Sequence, residues 1–108
     1  MADAARAADP IAFDETIHAP LRLRTCGLLR PVDRLDFGAL RDTLGVSDAS
    51  LSKQLKVLVE AGYVSIDKSA SIDRADLRRL TWITLTADGR RAFDGHMAAL
   101  RAIAGAAT

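Results

Sequence analysis

The middle of the chain carries apolar residues at the spacing of two short amphipathic helices joined by a turn. Within each helix these residues recur three and four positions apart, which puts them on one face. Gly45 lies between the two helices and can adopt the left-handed conformation that ends a helix. The two apolar stripes consist of Phe37, Leu40 and Leu44, followed by Leu51, Leu55 and Leu58.

Capping residues indicate where both helices begin and end. Asp36 and Ser47 are suitable N-caps, because each side-chain oxygen can accept a backbone N–H of the first turn. Gly62 predicts a sharp stop after the second helix, and Tyr63 can fold back over Leu58 in a Schellman motif. Two helices with such a turn predict a helix-turn-helix, in which the second helix enters the DNA major groove.

The face of the second helix opposite its leucines carries small, hydroxyl and long polar side chains. Small residues let a backbone approach DNA closely, hydroxyls donate to phosphate oxygens, and lysine or glutamine can reach base edges. We predict a recognition helix over residues 47–61, with Ser50, Lys53 and Gln54 nearest the bases and Lys56 on phosphate. An ordinary solvated helix face is the alternative. The predicted contacts are Ser47, Ala49, Ser50, Ser52, Lys53, Gln54 and Lys56.

After the second helix the pattern changes to the alternation that is typical of β-strands. Residues 63–68 and 80–86 flank a polar connector, which predicts a β-hairpin whose wing, residues 67–80, reaches the minor groove or the phosphates. A hairpin with a solvated tip is the alternative, because acidic residues dilute the charge of the connector. Trp82 should lie on the strand face opposite Ile83, covered by the partner strand or a helix. The predicted wing contacts are Lys68, Arg74, Arg78 and Arg79.

The two ends of the chain carry packing residues rather than reactive ones. Residues 17–30 predict a helix with Pro20 in its first turn, after one extra turn, and Thr86 can cap a last helix over 87–104. An apolar stripe of that helix can pack on its own domain or on a second copy of the chain. We predict a homodimer that reads a palindromic site, because one helix-turn-helix contacts few base pairs. The predicted interface consists of Ile11, Phe13, Ile17, Phe93, Met97, Leu100, Ile103 and Ala104.

Length and composition fit one domain over residues 1–108, and the helical and alternating patterns described above predict the α+β class, mainly helical with a small β-hairpin. The chain has 108 residues, 49% hydrophobic and 27% charged, which is enough apolar material for a single core. The formal net charge of +1 is by itself a weak argument for nucleic acid. The sequence lacks a membrane-spanning apolar run and the pattern of a signal peptide, which predicts a cytoplasmic protein whose residues 1–10 are flexible.

Reactive side chains are few. A single cysteine, Cys26, excludes an intramolecular disulfide and a cysteine-cluster zinc site. The two histidines, His18 and His96, are far apart in sequence and match no metal-binding or catalytic spacing. Cys26 with His18 is the one conceivable nucleophile and base, but Cys26 falls in a helix where a small hydrophobe is the usual role. We predict no enzyme, no metal and no cofactor, and a structural role for His18, either as a cap or in a bond to another helix.

Four parts of the chain carry a family resemblance: IHAPLRLR (residues 17–24), residues 36–64, WITLTADGRRAF (residues 82–93) and the leucine- and alanine-rich last helix. Together they are similar to the winged-helix transcriptional regulators of the MarR and ArsR kind, and closest to the small stand-alone MarR-like proteins. The resemblance implies the element order α-α-β-α-α-β-wing-β-α and a repressor that binds double-stranded DNA. A winged helix used only for protein–protein contact is the alternative, and a small-molecule or protein effector is left open.

Overall fold

The computed structural model describes residues 11–70 and 79–105, within which the chain forms five helices and three strands. The strands pair antiparallel in the order β1-β3-β2. The mainly helical α+β class and the predicted element order are confirmed. Arg74, Arg78 and the expected flexibility of residues 1–10 lie outside the described residues. The elements are α1 (Glu15–His18), α2 (Pro20–Leu29), β1 (Leu35–Asp36), α3 (Phe37–Leu44), α4 (Asp48–Glu60), β2 (Val64–Ala70), β3 (Arg79–Leu85) and α5 (Ala87–Gly105).

The prediction of one helix over residues 17–30 is wrong, because the chain breaks into α1 and α2. Ala19 has φ −56° and ψ 132°, which is an extended conformation between the two helices. A proline disfavours helical geometry in the residue before it, whereas Pro20 itself suits the first position of α2. The extra turn is α1, and its N-cap is Asp14, whose carboxylate accepts the N–H of Ile17 at 3.1 Å.

The helix pair α3–α4 is capped as the sequence predicts. The carboxylate of Asp36 and the hydroxyl of Ser47 each accept a backbone N–H from the first turn of the helix that follows. Gly45 ends α3 with φ 71°, in the left-handed region that favours glycine. The leucines of both stripes are buried and meet in the core, so α3 fixes the orientation of α4. These leucines are Leu40, Leu44, Leu51, Leu55 and Leu58.

The end of α4 is joined directly to the beginning of α5. Gly62 has φ 82°, and the N–H of Tyr63 donates to the carbonyl of Leu58 at 2.9 Å, which completes the predicted Schellman motif. The carbonyl of Tyr63 accepts the N–H of Thr86 at 2.9 Å. The Thr86 hydroxyl donates to the carbonyl of Gly62 at 2.7 Å and accepts the N–H of Gly89 at 2.9 Å. Thr86 therefore caps α5, as predicted, and also bonds it to the turn that ends α4.

The hairpin strands lie within one or two residues of their predicted bounds. Val64 pairs with Leu85 and Ile66 pairs with Ile83, while Leu35 of β1 pairs with Ile83 from the other edge. This register turns one face of β3 toward the helices. Val64, Ile83 and Leu85 are consequently buried in the same core as the helical leucines.

Helix α5 packs on its own domain through a face that is shifted by one residue from the predicted stripe. His96 and Ala99 are buried, and Ala92 packs against the core. Ile103 continues this spacing of four, three and four residues, but it is 68% exposed. The predicted stripe lies about 100° around the helix from this face. Its members Phe93, Met97 and Leu100 are half-buried, and Ala104 is exposed.

Hydrogen bonds to His96 of α5 hold both the segment before α1 and His18 of α1. The backbone N–H of Asp14 donates to Nδ1 of His96 at 2.9 Å, so the proton of the neutral His96 ring is on Nε2. That N–H donates to Nδ1 of His18 at 3.2 Å, which gives His18 the predicted bond to another helix. The centroid of the Phe13 ring lies 4.7 Å from the centroid of each imidazole ring. The Asp14 carboxylate also accepts a hydrogen bond from the Tyr63 hydroxyl at 2.5 Å.

The close approach of α5 to the turn after α4 should make Gly89→Ala destabilising. A Cβ at this position would lie 2.1 Å from the carbonyl oxygen of Tyr63, which is backbone and cannot move aside cheaply. We expect the free energy of unfolding in urea to fall by about 1–3 kcal/mol. Gly27→Ala is the matched control, since its Cβ would meet only Phe93 at 3.8 Å and should stabilise α2 by up to about 1 kcal/mol. Equal stability of both variants would contradict the close approach.

Stability should fall as the pH drops below about 6.5, the ordinary pKa of histidine. Burial, and then the neighbouring His18, lowers the pKa of His96. The unfolded chain therefore binds a proton at a higher pH than the folded chain does, so acid favours unfolding until the lowered pKa is passed. Urea unfolding between pH 7.5 and 5 measures this loss. His96→Gln keeps an acceptor for Asp14 and a donor for His18 without titrating, so it should weaken the pH dependence. An unchanged pH profile in this variant would rule out His96 as its source.

Candidate nucleic-acid interface

Helix α4 presents the predicted polar face to solvent. Ala49, Ser52, Lys53 and Lys56 are exposed and Ser50 is half-buried, while the leucines on the opposite side are in the core. Neither lysine forms an ion pair with another residue in the described part of the chain, so both ammonium groups can bind an anion. The structure thus brings most of the predicted helix contacts onto one surface.

An ion pair joins the acidic residue at the start of α4 to α3. Arg41 of α3 donates to the carboxylates of Asp48 at 2.8 Å and Asp42 at 2.9 Å, and these bonds raise the pKa of Arg41. The hydroxyl of Ser47 accepts a backbone N–H as N-cap, yet its own proton can still be donated. The sequence analysis missed Arg41, although its place in the last turn before Gly45 was a usable signal. The cluster of Arg41, Asp42 and Asp48 therefore carries a net charge of −1 rather than −2 near the beginning of α4.

A groove of about 620 Å³ runs between α4 and the core-facing side of the hairpin. Its lining includes Lys56 from the helix and Lys68 from β2, so a predicted helix contact and a predicted wing contact share one concave surface. Val59 and Ile66 are 41% and 39% exposed there. Ile66 shares its strand face with Val64 as predicted, but β2 is an edge strand, and Ile66 lines the groove instead of being buried like its partner Ile83.

The carbonyl end of the Gln54 side-chain amide points toward the body of the domain. Its Oε1 accepts a hydrogen bond from Nη1 of Arg22 at 2.8 Å, and Nε of Arg22 donates to the carbonyl of Thr16 at 2.6 Å. Gln54 is half-buried as a result. The amide oxygen of Gln54 is therefore already engaged, and the predicted contact of Gln54 with a base stays a prediction. Arg22, on α2, carries no sequence signal for this contact, because the two residues are 32 positions apart.

The wing is described only in part. Lys68 is exposed, Arg79 begins β3, and Arg74 and Arg78 fall outside the described residues. Trp82 lies opposite Asp67 in the sheet, as predicted, but its ring is covered by the guanidinium of Arg34, whose Cζ lies 4.0 Å from the ring centroid. This cation–π contact lies on the face of the sheet that does not contain Ile83, and sequence reasoning missed it.

The eight residues predicted for a dimer interface divide into one that is buried, three that are half-buried on α5 (Phe93, Met97 and Leu100, of which Phe93 packs against its own core) and four that are exposed, among them Ala104. Ile17 is fully buried in the core of its own chain and offers no surface to a partner, so that part of the prediction is wrong. Ile11, Phe13 and Ile103 are exposed by 55%, 44% and 68%. The backbone N–H of Ala12 donates to the carbonyl of Gly95, so the segment with Ile11 and Phe13 lies along α5. These three large apolar side chains therefore lie on α5 or on the segment beside it.

Burial suppresses the reactivity of Cys26. Burial raises the pKa of the Cys26 thiol to about 12, which keeps it protonated and unreactive near neutral pH. Among the described residues, no group of three or more histidine, cysteine, aspartate or glutamate side chains is arranged to hold a metal ion. In the same ranges, none of the helices combines the length and apolar character needed to cross a membrane.

Sequence comparison places most of the chain in one family. A family model described as a winged helix DNA-binding domain matches residues 21–104. No curated protein matches the chain significantly. The resemblance to winged-helix regulators that the sequence predicts is confirmed.

Solved structures share the fold over nearly the whole chain. A transcriptional regulator homologue from Pyrococcus horikoshii OT3 matches with a TM-score of 0.77 and 21% identity, over 87% of this chain and 89% of that chain. MepR from S. aureus, solved in complex with DNA, matches with a TM-score of 0.66 and 16% identity, over 98% of this chain and 82% of that chain. NadR, solved in complex with 4-hydroxyphenylacetate, matches with a TM-score of 0.65 and 25% identity, over 86% of this chain and 62% of that chain. The first two similarities, at these identities, establish the fold alone.

Proposed function

This chain belongs to the family of winged-helix DNA-binding domains, and we propose that it is a transcriptional regulator. In this proposal α4 lies in the major groove, and the hairpin of β2 and β3 contacts the flanking phosphates or the minor groove. Two copies bind a palindromic site, and the protein represses transcription by occupying it. MepR, a neighbour in fold, is named as a DNA complex, which supports the proposal by analogy.

The exposed lysine-bearing face of α4 is the observation that carries the proposal. Lys53 and Lys56 extend from a helix whose other exposed residues there, Ala49 and Ser52, are small. A helix with this face fits a major groove about 12 Å wide without a steric barrier. Lys68 lies across the groove from Lys56, so a phosphate backbone could be held from both sides.

A homodimer is supported by the exposed apolar residues beside α5. Ile11, Phe13 and Ile103 are large side chains that a monomer would leave in water. A two-fold axis lets one such surface cover its own copy, and it doubles the number of phosphate contacts. The net charge of only +1 gives a single domain little long-range attraction to DNA, so the second copy matters for affinity.

Alanine substitutions of the two lysines of α4 test the DNA-binding face. If Lys53 reads a base, Lys53→Ala should weaken binding to the preferred site by about 1–3 kcal/mol and relax the preference at that position. If Lys56 holds phosphate, Lys56→Ala should weaken binding to all sequences and reduce the slope of log affinity against log salt by about one. Fluorescence anisotropy with labelled duplexes at several salt concentrations measures both effects.

Arg24→Ala serves as the matched control for these substitutions. Arg24 is an exposed cation on α2 and lies about 200° around that helix from Arg22, which faces α4. It should leave affinity and salt slope nearly unchanged. If both lysine variants fold and bind DNA as the unmodified protein does, α4 is not the recognition helix, and the use of the fold for protein contact gains support.

Ile103→Glu tests the homodimer. A carboxylate at this exposed apolar position would be desolvated in a dimer interface but not in a monomer, so it should shift the dimer toward monomer and reduce DNA affinity. A point change is preferable to truncation, because His96 and Ala99 of the same helix belong to the core of the domain. Sedimentation velocity at micromolar concentration gives the state of association.

Ala102→Glu adds the same charge to the neighbouring position of α5, about 100° away around the helix, and should leave the dimer intact. An unmodified protein that is monomeric in sedimentation and still binds DNA tightly would refute the dimer. Equal dissociation by both variants would show that charge on α5 in general, rather than this apolar surface, governs association.

A further inference from the structure

The contact between Arg22 and Gln54 fixes which end of the glutamine amide faces inward. Arginine has only hydrogen-bond donors, so the Gln54 atom 2.8 Å from Nη1 of Arg22 must be the carbonyl oxygen. The guanidinium is itself held from a second side, because its Nε donates to the carbonyl of Thr16 at 2.6 Å. Two hydrogen bonds from different elements therefore set the plane of Arg22 and, through it, the direction of the amide.

The other end of the amide reaches the surface. Within the described part of the chain, every buried side-chain nitrogen or oxygen has a hydrogen-bond partner. The amide nitrogen of Gln54 has no such partner there, so it is accessible to solvent. It is carried by the same helix as Ser50 and Lys53, one turn from the first and adjacent in sequence to the second. α4 thus exposes a glutamine amide that can donate two hydrogens while its oxygen is already in use.

An amide held in this way should discriminate among bases. Glutamine recognises adenine by donating to N7 and accepting from the N6 amino group, which needs both ends of the amide. Guanine offers two acceptors in the major groove, N7 and O6, and thymine offers O4, whereas the single acceptor of adenine, N7, lies beside an amino donor that repels the second amide hydrogen. We propose that Arg22 is a specificity-determining positioning residue, which makes Gln54 a donor and selects a keto base, guanine or thymine, at its position. This inference rests on the proposed DNA-binding function.

Selection of binding sites from a random duplex DNA library tests the proposal. The unmodified protein should enrich a motif with guanine or thymine at one position that depends on Gln54. Gln54→Glu is nearly isosteric, keeps an acceptor for Arg22 and replaces the outward donor by an acceptor. In this variant the preferred base at that position should become an amino base, cytosine or adenine. The affinity for the amino base relative to the keto base should rise about tenfold.

Arg22→Met tests the positioning role itself, since it keeps an apolar stem of similar length and removes the donors. The freed amide can turn either end outward, so the preference for a keto base at that position should drop about tenfold while the salt slope is kept. Arg24→Met, on the same helix, removes an equal charge and should leave the motif unchanged. Circular dichroism verifies folding, and Gln54→Glu retains the Arg22 contact if Arg22→Met does not fold.

Each outcome separates the inference from the function on which it rests. A motif that is the same for the unmodified protein, Gln54→Glu and Arg22→Met would overturn the role of Arg22 and leave the DNA-binding function standing. A keto base that changes in Gln54→Glu but persists at full strength in a folded Arg22→Met would also overturn it, because Gln54 would then need no positioning. If the unmodified protein enriches no sequence, the proposed sequence-specific function fails, and the inference fails with it.

Discussion

The close backbone contact between the turn after α4 and the first turn of α5 is the constraint on which the other parts of the molecule depend. Gly62 in the left-handed conformation directs the carbonyl of Tyr63 toward Thr86 and Gly89, where only a glycine leaves enough room. The same turn starts β2. The candidate recognition helix, the hairpin and the last helix therefore meet at a single point, where the backbone N–H and the hydroxyl of Thr86 both bond to the turn.

Half-buried polar side chains orient the surfaces around this point. Asp14 caps α1 with its carboxylate, accepts the Tyr63 hydroxyl and donates its N–H to His96, so one residue ties the first helix to α5 and to the end of α4. Arg22 does the same for the middle of α4 through Gln54. Buried polar groups that are fully hydrogen-bonded favour one arrangement over its neighbours, because any alternative leaves a donor or an acceptor unsatisfied.

The exposed features then fall on separate sides, each with its own chemistry. Cationic and small side chains of α4 lie beside the groove that Lys68 borders, whereas the exposed apolar residues Ile11, Phe13 and Ile103 lie along α5. A regulator built in this way could contact DNA and a second copy at the same time without competition between the two. Trp82, under the guanidinium of Arg34, belongs to neither surface and stabilises the outer face of the sheet.

The sequence by itself determined the order of the elements, the caps at Asp36, Ser47 and Thr86, and the polar face of α4. These features depend on residues within a turn of one another, so local spacing is enough to predict them. Only the tertiary structure decided the face through which α5 packs, because a buried histidine, His96, does not read as a core residue until its partner is known. It also decided the direction of Gln54. That direction depends on an arginine 32 positions away, and contacts between residues so far apart exist only after the chain has folded.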